Sequence, residues 1–172
     1  MNFEKIYVQN RKMVYNLALQ YVQNIEDAEE ITQDIFVKIA EKMDSFQKSS
    51  DVKTWIYRIS INQCLDFIKA KNAKKRSIWG SLVRLNDPQN YYQPAHFDHP
   101  GVILEQKEEI QKIFEGINQL PPQQKTVIIL LKIDGRTQTE TAKIMELGEK
   151  AVESLFQRAK KNLTTLLNKN EG

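Results

Sequence analysis

The sequence predicts an all-α protein built from two small helical domains that are joined by a flexible linker. Two observations support this fold class. Apolar residues recur every three or four positions almost throughout the 172-residue chain, which is the spacing of one helix face rather than of a strand. Between residues 77 and 99 this spacing is lost, and turn-forming residues replace it. The remaining parts, 1–76 and 100–172, are each long enough for a small core.

The composition excludes several classes of protein. The longest apolar run, residues 127–131, is far shorter than the roughly 18 residues of a membrane-spanning helix, so we expect no membrane insertion and a cytoplasmic location. Cys64 is the single cysteine, which rules out an intramolecular disulfide. His96 and His99 have no ligating neighbours in a recognised spacing, so we expect no metal or other cofactor. No set of catalytic residues is visible, which argues against an enzyme.

The N-terminal part is predicted to form a bundle of three helices. The second helix spans 26–43, and its first half is rich in acidic residues, which suits the positive end of a helix dipole. The same acids could instead form a docking surface for a basic partner, because Glu30, Gln33 and Asp34 lie on neighbouring turns beside Phe36 or Val37. The residues alone leave both interpretations open.

The third helix, from Val52 to about Lys75, ends in a basic cluster. Five cationic residues fall within eight positions that contain no acid, namely Lys69, Lys71, Lys74, Lys75 and Arg76. Because the net charge is only +3, this local excess is a better indication of phosphate contacts than the total charge.

Aromatic, cationic and amide side chains precede the basic cluster. They are Trp55, Tyr57, Arg58 and Asn62, and the polar loop 45–51 comes before them. Such a combination can hold unstacked bases of a single nucleic-acid strand. The alternative is that Trp55 belongs to the core while Tyr57 and Arg58 are ordinary surface residues.

The linker, residues 77–99, contains turn-forming Pro, Asn and Asp residues that do not sustain a long helix. Fully stretched, it would reach about 75 Å. That distance exceeds two turns of duplex DNA, each about 34 Å long.

The C-terminal part begins with helical spacing that stops at Leu120. Pro121 and Pro122 can open the next helix, which Gly135 ends. Residues 127–131 within it could also be a buried strand, but the Pro start and the Gly stop favour a helix. Thr137 and Glu140 then fit a capping box that begins a short helix.

A turn at 146–148 and a longer helix complete the spacing of a helix-turn-helix. The longer helix would present a row of polar side chains outward, namely Lys150, Glu153, Ser154, Gln157, Arg158 and Lys161. Ser and Gln can hydrogen-bond base edges, and Lys and Arg can contact phosphates. An αα-hairpin with a solvated polar face is the other interpretation.

The motifs together resemble those of the extracytoplasmic-function sigma factors, the smallest sigma-70-class specificity subunits of bacterial RNA polymerase. Residues 28–38, AEEITQDIFVK, resemble the family signature Ala-Glu-Asp-Leu-x-Gln-x-x-Phe, and residues 54–62, TWIYRISIN, resemble Trp-Leu-Tyr-x-Ile-Ala-x-Asn. LPPQQ at 120–124 and the helix-turn-helix at 137–163 follow in the family's order.

This resemblance implies a sigma factor that binds core polymerase and directs promoter-specific transcription initiation. It places core binding on the second helix, through Glu29, Glu30, Gln33, Asp34 and Val37. Residues 1–76 would be sigma region 2, which binds and melts the minus-ten element through Ser45, Phe46, Gln47, Lys48, Ser49, Trp55, Tyr57, Arg58, Asn62, Lys69, Lys71, Lys74, Lys75 and Arg76. Residues 100–172 would be region 4, which binds the minus-thirty-five element through Lys132, Arg136, Thr137, Lys150, Glu153, Ser154, Gln157, Arg158 and Lys161.

Three positions depart from the family pattern. Glu153 stands where a Lys or Arg is common, and Gly148 replaces a Ser or Thr next to the recognition helix. Thr141 replaces an apolar residue and is expected to loosen the packing of the helix-turn-helix.

Exposed docking surfaces on an all-helical protein are compatible with an anti-sigma factor as a further partner. The competing hypothesis is a stand-alone helix-turn-helix regulator with an N-terminal ligand-sensing or dimerising module.

Overall fold

The computed structural model describes residues 2–46, 51–79 and 91–170, and within these ranges the chain forms helices and no strand. The predicted all-α class is therefore confirmed. The described α-helices are α1 (Phe3–Val22), α2 (Ile25–Lys42), α3 (Val52–Trp79), α4 (Lys107–Gln119), α5 (Pro122–Ile128), α6 (Gln138–Met145) and α7 (Glu149–Asn170). A π-helical turn, Ile129–Ile133, continues α5.

The first three helices pack into one bundle. Asn2 and Asn24 cap α1 and α2, because their side-chain oxygens accept from the backbone N–H groups three positions on. Ile31, Ile35 and Ile39 are fully buried and lie on one face of α2. Since the buried residues of α2 share this face, the acidic residues between them are left on the solvent side.

Both ends of the predicted linker are more ordered than expected. Residues 77–79 continue α3, and residues 91–99 pack against α1 and α2, whereas residues 80–90 lie outside the described ranges. The Tyr92 hydroxyl donates to Asp27 Oδ2 at 2.7 Å, and the Asp98 backbone N–H donates to the carbonyl oxygen of Gln23 at 2.8 Å. Phe97 is buried as well. Irregular segments have no period, so the sequence could not predict that this one is packed.

Local signals account for the C-terminal helices. Pro122 opens α5. Residues 127–131 are helical, as the proline at the start of this helix predicts. Gly135 follows with φ +68°, a left-handed conformation that suits glycine and ends the helix. The capping box is confirmed, because Glu140 N donates to Thr137 Oγ1 at 3.1 Å and Thr137 N donates to Glu140 Oε2 at 2.8 Å.

Thr141 lies fully buried in α6, and its Oγ1 has no hydrogen-bond partner among the described residues. Burying an unsatisfied hydroxyl is unfavourable, so we expect Thr141→Val to raise the free energy of unfolding by about 1 kcal/mol. Urea unfolding of the full chain, followed by circular dichroism, measures this change. Thr164→Val, the same change at an exposed position, should leave stability nearly unaltered. A Thr141→Val variant no more stable than wild type would contradict the prediction.

Candidate functional site

The exposed side of α2 carries the residues predicted to bind core polymerase. Four polar side chains are exposed there together with Val37, which is 56% exposed; the four are Glu29, Glu30, Gln33 and Asp34. Asp34 Oδ2 accepts a hydrogen bond from Gln63 Nε2 of α3 at 3.3 Å. The structure therefore brings all five predicted residues to one acidic surface with an apolar residue at its edge.

An aromatic cluster that the sequence analysis did not single out lies between α1 and α2. The Tyr7 ring lies 4.8 Å from the Phe36 ring, centroid to centroid, and Phe3 is 6.4 Å from the same ring. Phe3 and Tyr7 are 38% and 40% exposed, so the cluster has an apolar outer side. Its signal in the sequence was the i, i+4 spacing of two aromatics in the first helix.

The structure brings together only some of the residues that were predicted to bind the minus-ten element. Ser45 is exposed, and the half-buried Phe46 packs on Trp55 with ring centroids 4.8 Å apart. Gln47, Lys48 and Ser49 lie outside the described residues. Trp55 is half-buried and packs against the core, so it serves partly as a core residue.

Tyr57 is buried rather than exposed, and it faces the C-terminal domain. Its hydroxyl donates to Asp134 Oδ2 at 2.6 Å, and the Arg136 guanidinium lies 5.9 Å from its ring centroid. Burial, followed by the hydrogen bond to Asp134, raises the pKa of the Tyr57 hydroxyl, which therefore stays protonated as a donor. Arg136 also pairs with Asp134 at 3.0 Å and with Glu140 at 3.2 Å, so its guanidinium is engaged within the chain.

Arg58 also contacts the C-terminal domain. Its Nη2 donates to the carbonyl oxygen of Lys143 at 2.6 Å, and its Nη1 lies 3.2 Å from Glu146 Oε1. The exposed Asn62 lines an adjacent cleft of about 290 Å³ between the domains, together with Arg58, Pro122 and Glu146. Three predicted minus-ten residues, Tyr57, Arg58 and Asn62, therefore lie at the boundary between the domains.

The basic cluster remains largely exposed along the last turns of α3. Lys69, Lys74 and Lys75 are exposed, and Arg76 is half-buried. Lys71 is exposed too but is engaged, since its Nζ lies 3.1 Å from Asp27 Oδ1 and 5.4 Å from the centroid of a neighbouring phenylalanine ring.

The second helix of the helix-turn-helix, α7, has the expected two faces. Val152, Leu155 and Ala159 are buried, and six polar residues of the same helix are exposed, namely Lys150, Glu153, Ser154, Gln157, Arg158 and Lys161. The exposed Lys132 lies nearby, with its Nζ 5.3 Å from the centroid of the Phe156 ring. Thr137 is exposed, and its hydroxyl accepts the capping bond of α6.

Lys125 is a buried cation that the sequence analysis missed. It is 3% exposed, and its Nζ donates to the carbonyl oxygen of Tyr21 at 2.9 Å and to Asn118 Oδ1 at 2.8 Å. Asn118 Nδ2 in turn donates to Gln23 Oε1 at 2.8 Å. Burial lowers the pKa of the Lys125 ammonium to about 7, while the nearby Cys64 thiol acts in the opposite direction. These bonds join α1 and its C-cap to the C-terminal domain.

The described residues, 2–46, 51–79 and 91–170, contain neither a metal-binding cluster nor a helix that could span a membrane. Over these ranges no group of three or more His, Cys, Asp or Glu side chains is placed to hold a metal ion. His99 instead contacts Gln20, with 3.0 Å between Nε2 and Oε1. No helix in the same ranges is both long enough and apolar enough to cross a membrane.

Comparison with known proteins places the two domains in one family. Residues 6–74 match the model of sigma-70 region 2, and residues 110–163 match that of sigma-70 region 4. The ECF RNA polymerase sigma-E factor of Escherichia coli K12 is 26% identical over 158 residues, which cover 92% of this chain and 82% of that protein. The sigma-E factor of Haemophilus influenzae is also 26% identical, over 161 residues, which cover 92% and 83%.

Solved structures support the same fold. The sigma factor RpoE of Bartonella quintana, in complex with the anti-sigma factor NepR, has a TM-score of 0.65 at 21% identity, with 96% of each chain covered. CnrH, in complex with the cytosolic domain of CnrY, has a TM-score of 0.63 at 21% identity, with 96% of this chain and 87% of that chain covered. The two region models, matched in their family order, and the sigma-E relatives, matched over 92% of this chain, together show that the chain belongs to the extracytoplasmic-function sigma factors, which direct RNA polymerase to promoters.

Proposed function

We propose that this sigma factor docks on core polymerase through the acidic side of α2 and binds promoter DNA with α3 and α7. The observation that supports this best is the arrangement of α7, which buries its apolar face and exposes all six polar residues expected to contact the minus-thirty-five element. The functional test is whether the purified full chain co-elutes with bacterial core polymerase and starts transcription at defined sites. If the chain showed neither co-elution nor defined initiation with an intact core enzyme, the proposal would be overturned.

Core docking rests on charge and accessibility. Glu29, Glu30, Gln33 and Asp34 form an exposed acidic patch, and Val37 supplies apolar area beside them. Such a patch suits a basic partner surface, because complementary charge steers encounter and fixes register. The exposed rings of Phe3 and Tyr7 extend the apolar area on the neighbouring helix.

Minus-ten binding is assigned to the loop 45–51 and to α3. Asn62 has an amide that can hydrogen-bond an extruded base, and such contacts must offset the few kcal/mol that unstacking costs. The lysines at 69, 74 and 75 are exposed and would contact phosphates. Lys71 and Arg76 join them in this role, with Lys71 first leaving Asp27.

We expect Asn62→Ala to slow promoter opening by about tenfold, the equivalent of one good base contact, without weakening core binding. The promoter is first identified by sequencing transcripts that the wild-type holoenzyme starts on genomic DNA. Permanganate reactivity of unpaired thymines then measures opening. Asn16→Ala, an equal change at an exposed site on α1, is the matched control. Equal opening by the Asn62→Ala variant and wild type would exclude the base-capture role.

Minus-thirty-five binding is assigned to α7 in the major groove. Ser154 and Gln157 would contact base edges, and Glu153 would accept from a cytosine amino group. Lys150, Arg158 and Lys161 would hold phosphates, with Lys132, Arg136 and Thr137 at the margin. Because Arg136 and Thr137 already make bonds within the chain, we expect them to contribute less to DNA binding than the α7 residues.

Three broader assignments accompany this proposal. The chain is not an enzyme itself, and it acts in the cytoplasm, where bacterial polymerase works. An anti-sigma factor is proposed as a further partner, which is supported by the similar structures of sigma factors bound to anti-sigma factors.

A further inference from the structure

Two side-chain hydrogen bonds tie the first turn of α6 to the first residue of α7. Gln138 Nε2 donates to the backbone carbonyl oxygen of Glu149 at 2.8 Å, and Thr139 Oγ1 donates to Glu149 Oε1 at 2.9 Å. The capping box orders the turn of α6 that carries both donors. Glu149, which begins α7, is therefore held by both its backbone and its side chain.

Glu149 also adjoins the side of α7 that is proposed to contact DNA. It is exposed and lies one turn before Glu153, and positions four apart in a helix are neighbours on its surface. In a helix-turn-helix, the first residues of the second helix contact base edges in the major groove. Glu149 is thus placed to meet a base, although the sequence analysis did not single it out.

A carboxylate in this position selects among the bases by hydrogen bonding and charge. It offers only acceptors, and cytosine is the base whose major-groove edge presents a donor and no acceptor. Guanine and thymine present acceptors that a carboxylate repels, and adenine pairs its donor with an acceptor at N7. The Thr139 bond uses Oε1 of Glu149, so Oε2 can accept from a cytosine amino group.

We propose that Glu149 reads a cytosine in the minus-thirty-five element, with Thr139 and Gln138 as its positioning residues. This inference rests on the proposed role of α7 in minus-thirty-five binding. An unrestrained glutamate would lose rotamer freedom on meeting the base, whereas the Thr139 hydroxyl already orders Glu149, so less entropy is lost on binding. Repulsion of the other bases by the carboxylate adds to the selection of cytosine.

The test measures base preference with the holoenzyme that the full chain forms with core polymerase. A promoter is first located from the transcripts that wild type starts on genomic DNA, and its minus-thirty-five element is then randomised. Sequencing the transcripts of this barcoded template pool gives the yield for each base at each position. The variants are Glu149→Gln, Thr139→Val and Thr139→Ser. The matched control is Glu109→Gln, which changes an exposed acid in the first turn of α4.

Wild type and the Glu109→Gln control are expected to prefer cytosine about tenfold at one position of the element. Glutamine pairs with adenine through N6 and N7, so Glu149→Gln should move the preference at that position to adenine and leave the other positions unchanged. Thr139→Val should reduce the preference for cytosine to about threefold without changing the preferred base. Thr139→Ser, which keeps the hydroxyl, should restore the wild-type preference.

A purely structural role of Glu149 gives a different result. Glu149→Gln would then change the yield equally for all four bases or not at all, and either outcome would overturn the inference. A cytosine preference in Thr139→Val as strong as in wild type would exclude the positioning role. Wild-type yields that ignore the whole element would contradict minus-thirty-five binding by α7, and a wild type that starts no transcripts would contradict the proposed function on which the inference rests.

Discussion

Replacing Asp34 by Lys is expected to weaken binding to core polymerase at least about tenfold, or ~1.4 kcal/mol. Asp34 is exposed in the acidic patch of α2, and the substitution places a positive charge where a basic partner surface is expected. Its carboxylate makes one bond, from Gln63 at 3.3 Å, so losing it should cost the fold little. Co-elution of the purified variant with core enzyme on size exclusion measures the effect.

Asp66→Lys is the matched control for this prediction. Asp66 is an exposed acid of the same domain, its only described ion pair is a 4.0 Å contact with Lys38, and the charge change is identical. Lost co-elution in both variants would indicate a general charge effect. Retained co-elution of Asp34→Lys at wild-type affinity would move the docking surface off this part of α2.

Removing the Lys125 ammonium should change how stability depends on pH. Burial holds the pKa of Lys125 at about 7 in the folded chain, against 10.5 for an exposed lysine. Between these values the unfolded chain binds a proton that the folded chain lacks, so this group makes stability rise with pH. Below about pH 7 both states are protonated, and the contribution is constant.

Lys125→Met keeps an apolar side chain at this position but removes the titrating ammonium. The rise of stability with pH that this group causes should therefore disappear. Between pH 7 and 9 the stability of wild type relative to the variant should rise by up to about 1.4 kcal/mol per pH unit. Urea unfolding at several pH values measures the difference. Lys12→Met, at an exposed position of α1, should track wild type. Parallel pH profiles for wild type and Lys125→Met would show that Lys125 does not release its proton on folding.

The predictable parts of this protein are those that short-range rules determine. The capping box at Thr137 and the proline start at Pro122 depend on neighbours within a few residues. The starts of these two helices could therefore be predicted directly from the sequence. The two faces of α2 and α7 followed from helical periodicity, and with them the exposure of Asp34 and Arg158.

The parts that escaped prediction depend on partners distant in sequence. Lys125 contacts Tyr21 across 104 positions, and Tyr57 contacts Asp134 across 77, so no local pattern indicates either pair. A lysine beside an apolar helical run is ordinarily a surface residue, and this one is buried against Tyr21 of α1 and Asn118 of α4. The sequence therefore indicated the side chains of the site but not their burial between the domains.

The packed segment 91–99 also determines how far the two domains can travel apart. While the segment stays packed, with the Asp98 N–H bonded to the Gln23 carbonyl oxygen and His99 bonded to Gln20, only residues 100–106 separate the first domain from α4, a reach of about 25 Å. Once the segment is released, residues 80–106 together reach about 90 Å, which exceeds two turns of duplex DNA at about 34 Å each. The anchored segment thus keeps the helix-turn-helix at a high effective concentration next to α3, and its release lowers that concentration steeply.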